Sequence, residues 1–103
     1  MSISPEFKAM AAMPYNLIFT ASYEKIERLF LRRHPDLLDR YHRTLALLEH
    51  DPFHASLRLH ALHGQLAGLH AVSITIQYRI TIELEVREQE IILVSVGSHG
   101  DVY

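Results

Sequence analysis

The sequence predicts a small α+β domain in which two helices pack on one face of a mainly antiparallel sheet. Three observations give this class: a short apolar strand pattern comes first, two stretches with helical spacing follow, and the second half alternates with period two. With 103 residues, 49% of them hydrophobic and 21% charged, the chain has the length and composition of one globular domain. We therefore expect a single core and a functional site on the surface.

The first thirteen residues are set apart from the predicted domain. They show no sustained period, and the segment Ser-Pro-Glu-Phe at 4–7 looks like a cloning-site remnant, with Met10 and Met13 as alternative starts. We expect 1–13 to be a disordered or cloning-derived N-terminal extension and 14–103 to form the folded domain.

The next residues predict a strand followed by a helix. The segment YNLIFT, which begins at Tyr15, is short and rich in β-branched and aromatic residues. Ser22 is the expected N-cap of the helix. The helix should stop before Pro35, and its predicted apolar face consists of Tyr23, Ile26, Leu29 and Phe30.

A second helix is predicted from Pro35, because proline suits the first helical turn and the carboxylate of Asp36 complements the helix dipole there. We expect it to end near His50, since the pair Asp51-Pro52 disfavours helical backbone before the proline. Its predicted apolar stripe consists of Leu37, Leu38, Tyr41, Leu45 and Leu48.

Residues 71–86 alternate cleanly between apolar and polar side chains. One strand of this length would run about 50 Å at roughly 3.3 Å per residue, too long for a domain with a radius of gyration of about 13 Å. The chain must therefore turn back, and because the apolar parity is kept across the turn, an odd-length loop or a bulge is implied near 75–78. Arg79 then stays on the polar face. The predicted core side consists of Val72, Ile74, Ile76, Tyr78, Ile80, Ile82, Leu84 and Val86.

The last strand pattern, 91–96, is apolar at nearly every position, which is typical of a central strand covered on both faces. It ends at the polar segment Gly97-Ser98-His99-Gly100. The complete prediction is an N-terminal strand, a two-helix hairpin and then three or four mainly antiparallel strands, with the helices on one face.

Composition excludes several classes of function. The chain has no cysteine, which removes disulfides, thiolate nucleophiles and sulfur-ligated zinc. No apolar run approaches the roughly 20 residues that span a bilayer, so we expect a cytoplasmic protein. The net charge of −2 argues against bulk electrostatic coating of nucleic acid, although the arginines concentrate in the helical half, at Arg28, Arg32, Arg33, Arg40 and Arg43.

Eight histidines raise the question of a metal site. His60 and His63 are the closest pair, with His54, His70 or His99 as a third ligand. Zinc needs three or four such groups converging at about 2 Å, and residues three apart on a strand point to opposite faces. We therefore predict no metal and no other cofactor, with a histidine-built metal protein as the less favoured alternative.

Metal-free RNA cleavage makes a different demand: a base for the 2′-hydroxyl proton, an acid for the leaving oxygen and a cation for the charge that develops on the phosphorus centre. His99 follows an apolar strand and a glycine, where a working residue is commonly exposed, and Arg79 lies on the polar face of a neighbouring strand. On the residues alone, a generic surface arginine and a turn histidine remain the favoured explanation.

Four motifs, which follow one another along the chain, favour a functional role for these residues instead. They are Asp51-Pro52-Phe53, the segment LRLHALHGQLAG at 57–68, Tyr78-Arg79-Ile80 and the segment VGSHGDVY at 96–103. Together they resemble the YafQ branch of the RelE/ParE toxin superfamily over about 15–103. The resemblance implies a RelE-like α+β fold and a type II toxin that cleaves mRNA in the ribosomal A site by metal-independent 2′-hydroxyl attack. It also implies a cognate antitoxin that blocks the site.

The same resemblance assigns roles to individual residues. His60 matches a histidine that contacts phosphate or base, and His99 a C-terminal histidine that acts as acid or base. Arg79 matches an arginine that stabilises the transition-state charge, and Tyr103 a terminal aromatic residue near the scissile bond. The residues expected to contact RNA are Arg58, His63 and Gln77.

This chain also departs from the pattern. Relatives usually carry lysines in the segment where it has His63, Gln65 and Ala67, and they usually read His-Asp-Glu-Val-Tyr where it has His99-Gly100-Asp101-Val102-Tyr103. The missing lysines bear on ribosome affinity rather than on the fold. The alternative function is therefore a catalytically weak or inactive antitoxin-binding module, or a relative directed at gyrase.

Overall fold

A computed structural model describes residues 14–98 of the chain. The predicted extension at 1–13 and the segment 99–103 lie outside the described residues. The order of elements, one strand, two helices and then four strands, confirms the predicted α+β class. In chain order the elements are β1 (Asn16–Phe19), α1 (Ala21–Arg33), α2 (Leu38–His50), β2 (His60–Ala61), β3 (His70–Ser73), β4 (Tyr78–Glu85) and β5 (Glu90–Ser98).

The five strands form one sheet in the order β1-β5-β4-β3-β2. The neighbours among β2, β3, β4 and β5 pair antiparallel, as predicted, whereas β1 pairs parallel to β5. The sequence pattern did not predict this parallel pair, because alternation reports the faces of a strand and not its direction. Within residues 14–98, neither of the two helices is long and apolar enough to span a bilayer.

Helix α1 begins two residues earlier than the prediction. Its N-cap is Thr20, whose Oγ1 accepts a hydrogen bond from the backbone N–H of Tyr23 at 3.1 Å. The prediction of Ser22 as N-cap is wrong, because Thr20 has the extended backbone that a cap needs and Ser22 already lies in the helix. The helix ends at Arg33, before Pro35, as predicted.

The apolar face of α1 is narrower than predicted. Tyr23 and Phe30 are buried, but Leu29 is 51% exposed. At 3.6 residues per turn Leu29 lies about 100° around the helix from Phe30, which places it beyond the buried stripe. Helix α2 follows a 3-10 turn at Pro35–Leu37 and ends at His50, as predicted; it buries Tyr41, Leu45 and Leu48.

A buried hydrogen-bond chain joins the two helices. The hydroxyls of Tyr23 and Tyr41 lie 2.6 Å apart, and the Tyr41 hydroxyl donates to Glu27 Oε2, also at 2.6 Å. Because a carboxylate accepts and Tyr41 has only one proton to donate, Tyr23 is the donor to Tyr41. Both side chains are 0% exposed, and this burial raises the pKa of each phenol well above its ordinary value.

The turn between β3 and β4 confirms the predicted odd-length connection. Ser73 pairs with Arg79, and the backbone N–H groups of Ile74 and Thr75 both donate to the carbonyl of Tyr78, at 2.9 and 3.1 Å. The alternation misplaces Ile76, which is 94% exposed. This residue lies at the tip of the turn, and its side chain points away from the core.

A β-bulge in β5 sets which of its residues reach the core. Thr81 pairs with Ser95 but Ile82 pairs with Leu93, so Val94 is the extra residue. The residues buried toward the helices are consequently Ile91, Leu93 and Val96, with a step of three after a step of two. Ile92 and Val94 are only half-buried, so the second face is covered less than the apolar run predicted.

Candidate functional site

The candidate site is the sheet face that lies opposite the helices. Val72, Ile80 and Val96 belong to one buried cluster with the helix residues Tyr23 and Tyr41. Because successive residues on a strand point to opposite faces, their neighbours point away from the helices. We call this surface the helix-free face; its members on four strands are His60, Ala71, Ser73, Arg79, Thr81, Ser95 and Gly97.

Strand register brings two predicted catalytic residues to this face. One cross-strand row runs from His60 through Ala71 and Thr81 to Ser95, and the next row contains Arg79. Two strand spacings and a two-residue offset put the Cα atoms of His60 and Arg79 about 12 Å apart. The two residues therefore lie on the same face, two strands apart.

The local backbone determines how His60 presents its ring. His60 is exposed, and its Nδ1 lies 2.9 Å from the carbonyl oxygen of Arg58. A carbonyl only accepts hydrogen bonds, so Nδ1 carries the proton and Nε2 of the neutral ring holds a lone pair that faces away from this bond. The arrangement leaves Nε2 able to accept a proton from a bound substrate.

The positions around His60 and Arg79 on the helix-free face carry small, uncharged side chains. Arg79 is half-buried, and its partners across the sheet, Ser73 and Gly97, carry little or no side chain. Thr81 is 1% exposed, and its Oγ1 has no hydrogen-bond partner within 14–98. A buried hydroxyl of this kind costs about 1–3 kcal/mol unless water or a ligand pairs with it, so it marks a place where a polar group is expected.

The residues predicted to contact RNA lie at two ends of the sheet. Arg58 is exposed and has left-handed backbone at φ 51°, next to the end of the sheet that carries the β3–β4 turn. Gln77 is exposed in that turn. His63 is exposed beyond the opposite end of β2, where the backbone N–H of Leu62 bonds to the carbonyl of Leu69.

Two of the predicted catalytic residues, His99 and Tyr103, lie outside the described residues. The last described residue, Ser98, pairs with Tyr78 at the end of β5. The roles of His99 and Tyr103 therefore stay predictions.

The histidines of the described segment do not form a metal site. Among 14–98, no three histidine, aspartate or glutamate side chains converge in a way that could hold an ion. The Nδ1 atom of His54 bonds to Ser56, and that of His60 bonds to the Arg58 carbonyl. Within 14–98, the histidines proposed as ligands for the metal alternative therefore do not come together around one point.

Sequence reasoning missed two residues near the site. Arg40 reaches from α2 to the β3–β4 turn, where its Nε donates to the carbonyl of Ile74 at 2.9 Å. Nothing in the sequence signals this contact, because it joins positions 34 residues apart. Thr81 had a weak signal: it is an uncharged residue between two isoleucines of β4, whereas the other polar positions of the alternation in that strand are charged.

Comparison with known proteins supports the fold. No protein family model matches the sequence, and no curated protein is significantly similar to it. Among solved structures, YafQ from E. coli strain BL21(DE3) superimposes with a TM-score of 0.73 at 15% identity, covering 86% of this chain and 98% of that one. The E. coli DinJ-YafQ toxin-antitoxin complex gives a TM-score of 0.71 at 17% identity and covers 87% and 98%.

A third match is the toxin-antitoxin complex RelBE2 from Mycobacterium tuberculosis, with a TM-score of 0.63 at 17% identity over 86% of this chain and 95% of that one. The TM-scores establish a shared architecture, but identities this low do not carry the activity of these proteins over to this chain. The chain therefore has the fold of the RelE/YafQ toxins, as its motifs predicted.

Proposed function

We propose that this protein is the toxin of a toxin-antitoxin pair and cleaves mRNA on the ribosome, in the cytoplasm and without a metal ion. The observation that carries the proposal is the position of His60 and Arg79 on one helix-free sheet face, in a fold shared with YafQ. The cognate partner in this proposal is an antitoxin protein, as DinJ is for YafQ in their complex.

The proposed reaction is attack of a 2′-hydroxyl on the adjacent phosphorus. His60 Nε2 takes the 2′-hydroxyl proton, the O2′–P bond forms, and the P–O5′ bond breaks. His99 protonates the departing O5′, and the products are a cyclic phosphate and a 5′-hydroxyl. The Arg79 guanidinium stabilises the negative charge that develops on the phosphoryl oxygens, and Tyr103 contacts the nucleotide beside the scissile bond.

Local charge supports a ribosomal target despite the net charge of −2. Lys25, Arg28 and Arg32 line one exposed patch on the outer side of α1, around Leu29. Residues three and four apart on a helix share a face, so the three cations act together on the same partner surface. Such a patch favours contact with phosphate-rich ribosomal RNA even where the whole molecule is slightly acidic.

The test is cleavage of a ribosome-bound message by the purified protein, read by primer extension. We expect His60→Ala and Arg79→Ala each to lower the cleavage rate by about 10²- to 10⁴-fold, the range for loss of one proton-transfer or charge-stabilising group. The control is His50→Ala, which changes an exposed histidine at the end of α2. A wild-type protein that leaves the message uncut, or variants that cut at the wild-type rate, would contradict the proposal.

The second candidate function is a catalytically silent antitoxin-binding module, or a relative of the same fold that acts on gyrase. It is favoured by the net charge of −2 and by the neutral side chains of Ser73 and Ser95, which share the helix-free face with Arg79. Induced expression distinguishes the two functions. Growth arrest with intact message and inhibited DNA supercoiling would favour this candidate, whereas arrest with cleaved message would exclude it.

A further inference from the structure

A polar cleft lies at the end of the sheet, between α2 and the β3–β4 turn. Its volume is about 120 Å³, and it is lined by two arginines, three hydroxyl residues and two isoleucines, with no carboxylate among the lining residues. The residues that matter below are Arg40, Arg58, Ser73, Thr75 and Ile76. None of their side chains takes part in the proposed cleavage step, although the backbone carbonyl of Arg58 bonds to His60.

Arg40 is held in a fixed direction across this cleft. Its Nε donates to the Ile74 carbonyl at 2.9 Å, which ties the guanidinium of α2 to the backbone of the turn. An arginine carries five N–H donors in a planar fork, so this bond leaves the two terminal NH₂ groups for other acceptors. A fork of this kind suits the oxygens of a phosphate.

Thr75 adds an oriented hydroxyl. Its Oγ1 accepts hydrogen bonds from the backbone N–H groups of Gln77 and Tyr78, both at 3.1 Å. The lone pairs are thereby occupied, and the O–H remains as a donor that can turn toward an anion in the cleft. Ser73, the other strand residue of the lining, supplies a second hydroxyl.

Arg58 occupies a backbone conformation that favours glycine. Its φ of 51° and ψ of 45° lie in the left-handed region, which an L-residue with a side chain seldom adopts. Backbone of this kind persists where the surrounding structure requires it and is concentrated at binding sites. Here it places a second guanidinium at the cleft while the Arg58 carbonyl holds His60.

We propose that this cleft binds one phosphate group of the RNA, next to the phosphate that reacts. Ser73 lines the cleft and pairs directly with Arg79, so the cleft continues the row of the helix-free face that holds Arg79. Ile76, 94% exposed beside the two arginines, offers an apolar contact for the attached sugar or base. The choice of RNA as ligand rests on the proposed function; the phosphate chemistry rests on the cleft alone.

The experiment is a solution titration at low salt with a short single-stranded RNA that carries a 2′-deoxy residue and so resists cleavage. Amide and arginine Nε–H resonances of the cleft are followed by NMR, with inorganic phosphate as a parallel probe. We expect Arg40→Gln and Arg58→Gln each to weaken RNA binding by about 10-fold, the effect of one charge-assisted hydrogen bond. The matched control is Arg43→Gln, which removes an exposed arginine of α2 outside the cleft.

Salt dependence tests whether both arginines hold the same phosphate. For single strands the slope of log K against log salt changes by about 0.7 for each phosphate contact that is lost. The double variant Arg40→Gln/Arg58→Gln should therefore lose about 0.7 in slope and not twice that amount. Arg58→Gly serves as a second variant, because it removes the cation while glycine accepts the left-handed backbone.

Each outcome decides the proposal. Wild-type affinity and slope in the double variant, an equal loss in Arg43→Gln, or no shift of cleft resonances at millimolar RNA would overturn it. If RNA shifts the cleft resonances no more strongly than inorganic phosphate does, RNA is overturned as the ligand and the cleft is a site for free phosphate. RNA bound through the cleft by a protein that leaves ribosomal message uncut would refute the nuclease function and keep the phosphate site.

Discussion

Replacing Tyr41 by phenylalanine tests the hydrogen-bond chain that joins the two helices. The substitution removes the bond to the Glu27 carboxylate, which at 2.6 Å is charge-assisted and contributes about 1.5–3 kcal/mol. It also leaves the buried hydroxyl of Tyr23 without its acceptor, because the 2.6 Å bond between the two phenols is lost. We expect the free energy of unfolding to fall by about 3 kcal/mol.

Tyr23→Phe is the matched comparison. Tyr23 is the donor at the start of the chain, so its loss removes one neutral bond of about 1 kcal/mol and leaves Tyr41 bonded to Glu27. The double variant should cost no more than Tyr41→Phe alone, because it leaves no buried hydroxyl unpaired.

The measurement is urea unfolding of the three variants and the wild type at neutral pH, with thermal unfolding as a second readout. For a domain of this size each kcal/mol corresponds to roughly 4–8 °C in Tm. Equal costs for Tyr23→Phe and Tyr41→Phe, or a double variant whose cost is the sum of the single ones, would refute the inferred donor order.

Three further predictions concern stability. Burial raises the pKa of Tyr23 and Tyr41 above the ordinary 10.0, so the unfolded chain loses these protons first as the pH rises. Stability should therefore be unaffected by these groups below pH 10 and fall above it by about 1.4 kcal/mol per pH unit for each phenol, with a shallower decline in Tyr23→Phe, measured by urea unfolding. Thr20→Ala should lower the free energy of unfolding by about 1 kcal/mol and Ser22→Ala by only a few tenths, and a reversed order would restore Ser22 as the cap. Arg58→Gly should raise it by about 1 kcal/mol by releasing left-handed strain; calorimetry that shows a loss would remove the strain argument.

The predicted fold was confirmed where the prediction rested on residues that are close together in the sequence. Helix α1 ends before Pro35, and α2 ends directly before the Asp51-Pro52 pair, as the prolines predicted. The preserved parity across 75–78 predicted an odd-length turn, which the pairing of Ser73 with Arg79 confirms. Errors arose where a position was assigned by period alone. Leu29 and Ile76 continue apolar patterns, yet both are exposed because one lies beside the buried stripe and the other at a turn tip.

For the candidate site too, some features were predictable from the sequence and others depend on the tertiary structure. Motifs in the sequence predict His60 and Arg79 as catalytic residues, and the alternation predicts that Arg79 lies on the polar face. Their common surface depends on the pairing of β2 with β3 and of β3 with β4, which no single segment encodes. His99 and Tyr103 stay predictions from the motif at 96–103.

By itself, the sequence determined the class, the order of elements and the faces of the strands, because local periodicity, caps and breakers act over a few residues. Only the tertiary structure decided the parallel β1–β5 pair, the bulge at Val94 and the cleft between Arg40 and Arg58. These features join residues distant along the chain, and their geometry is set by how the helices and strands pack together. The proposed phosphate site belongs to this second group: its two cations come from different elements and meet only in the folded chain.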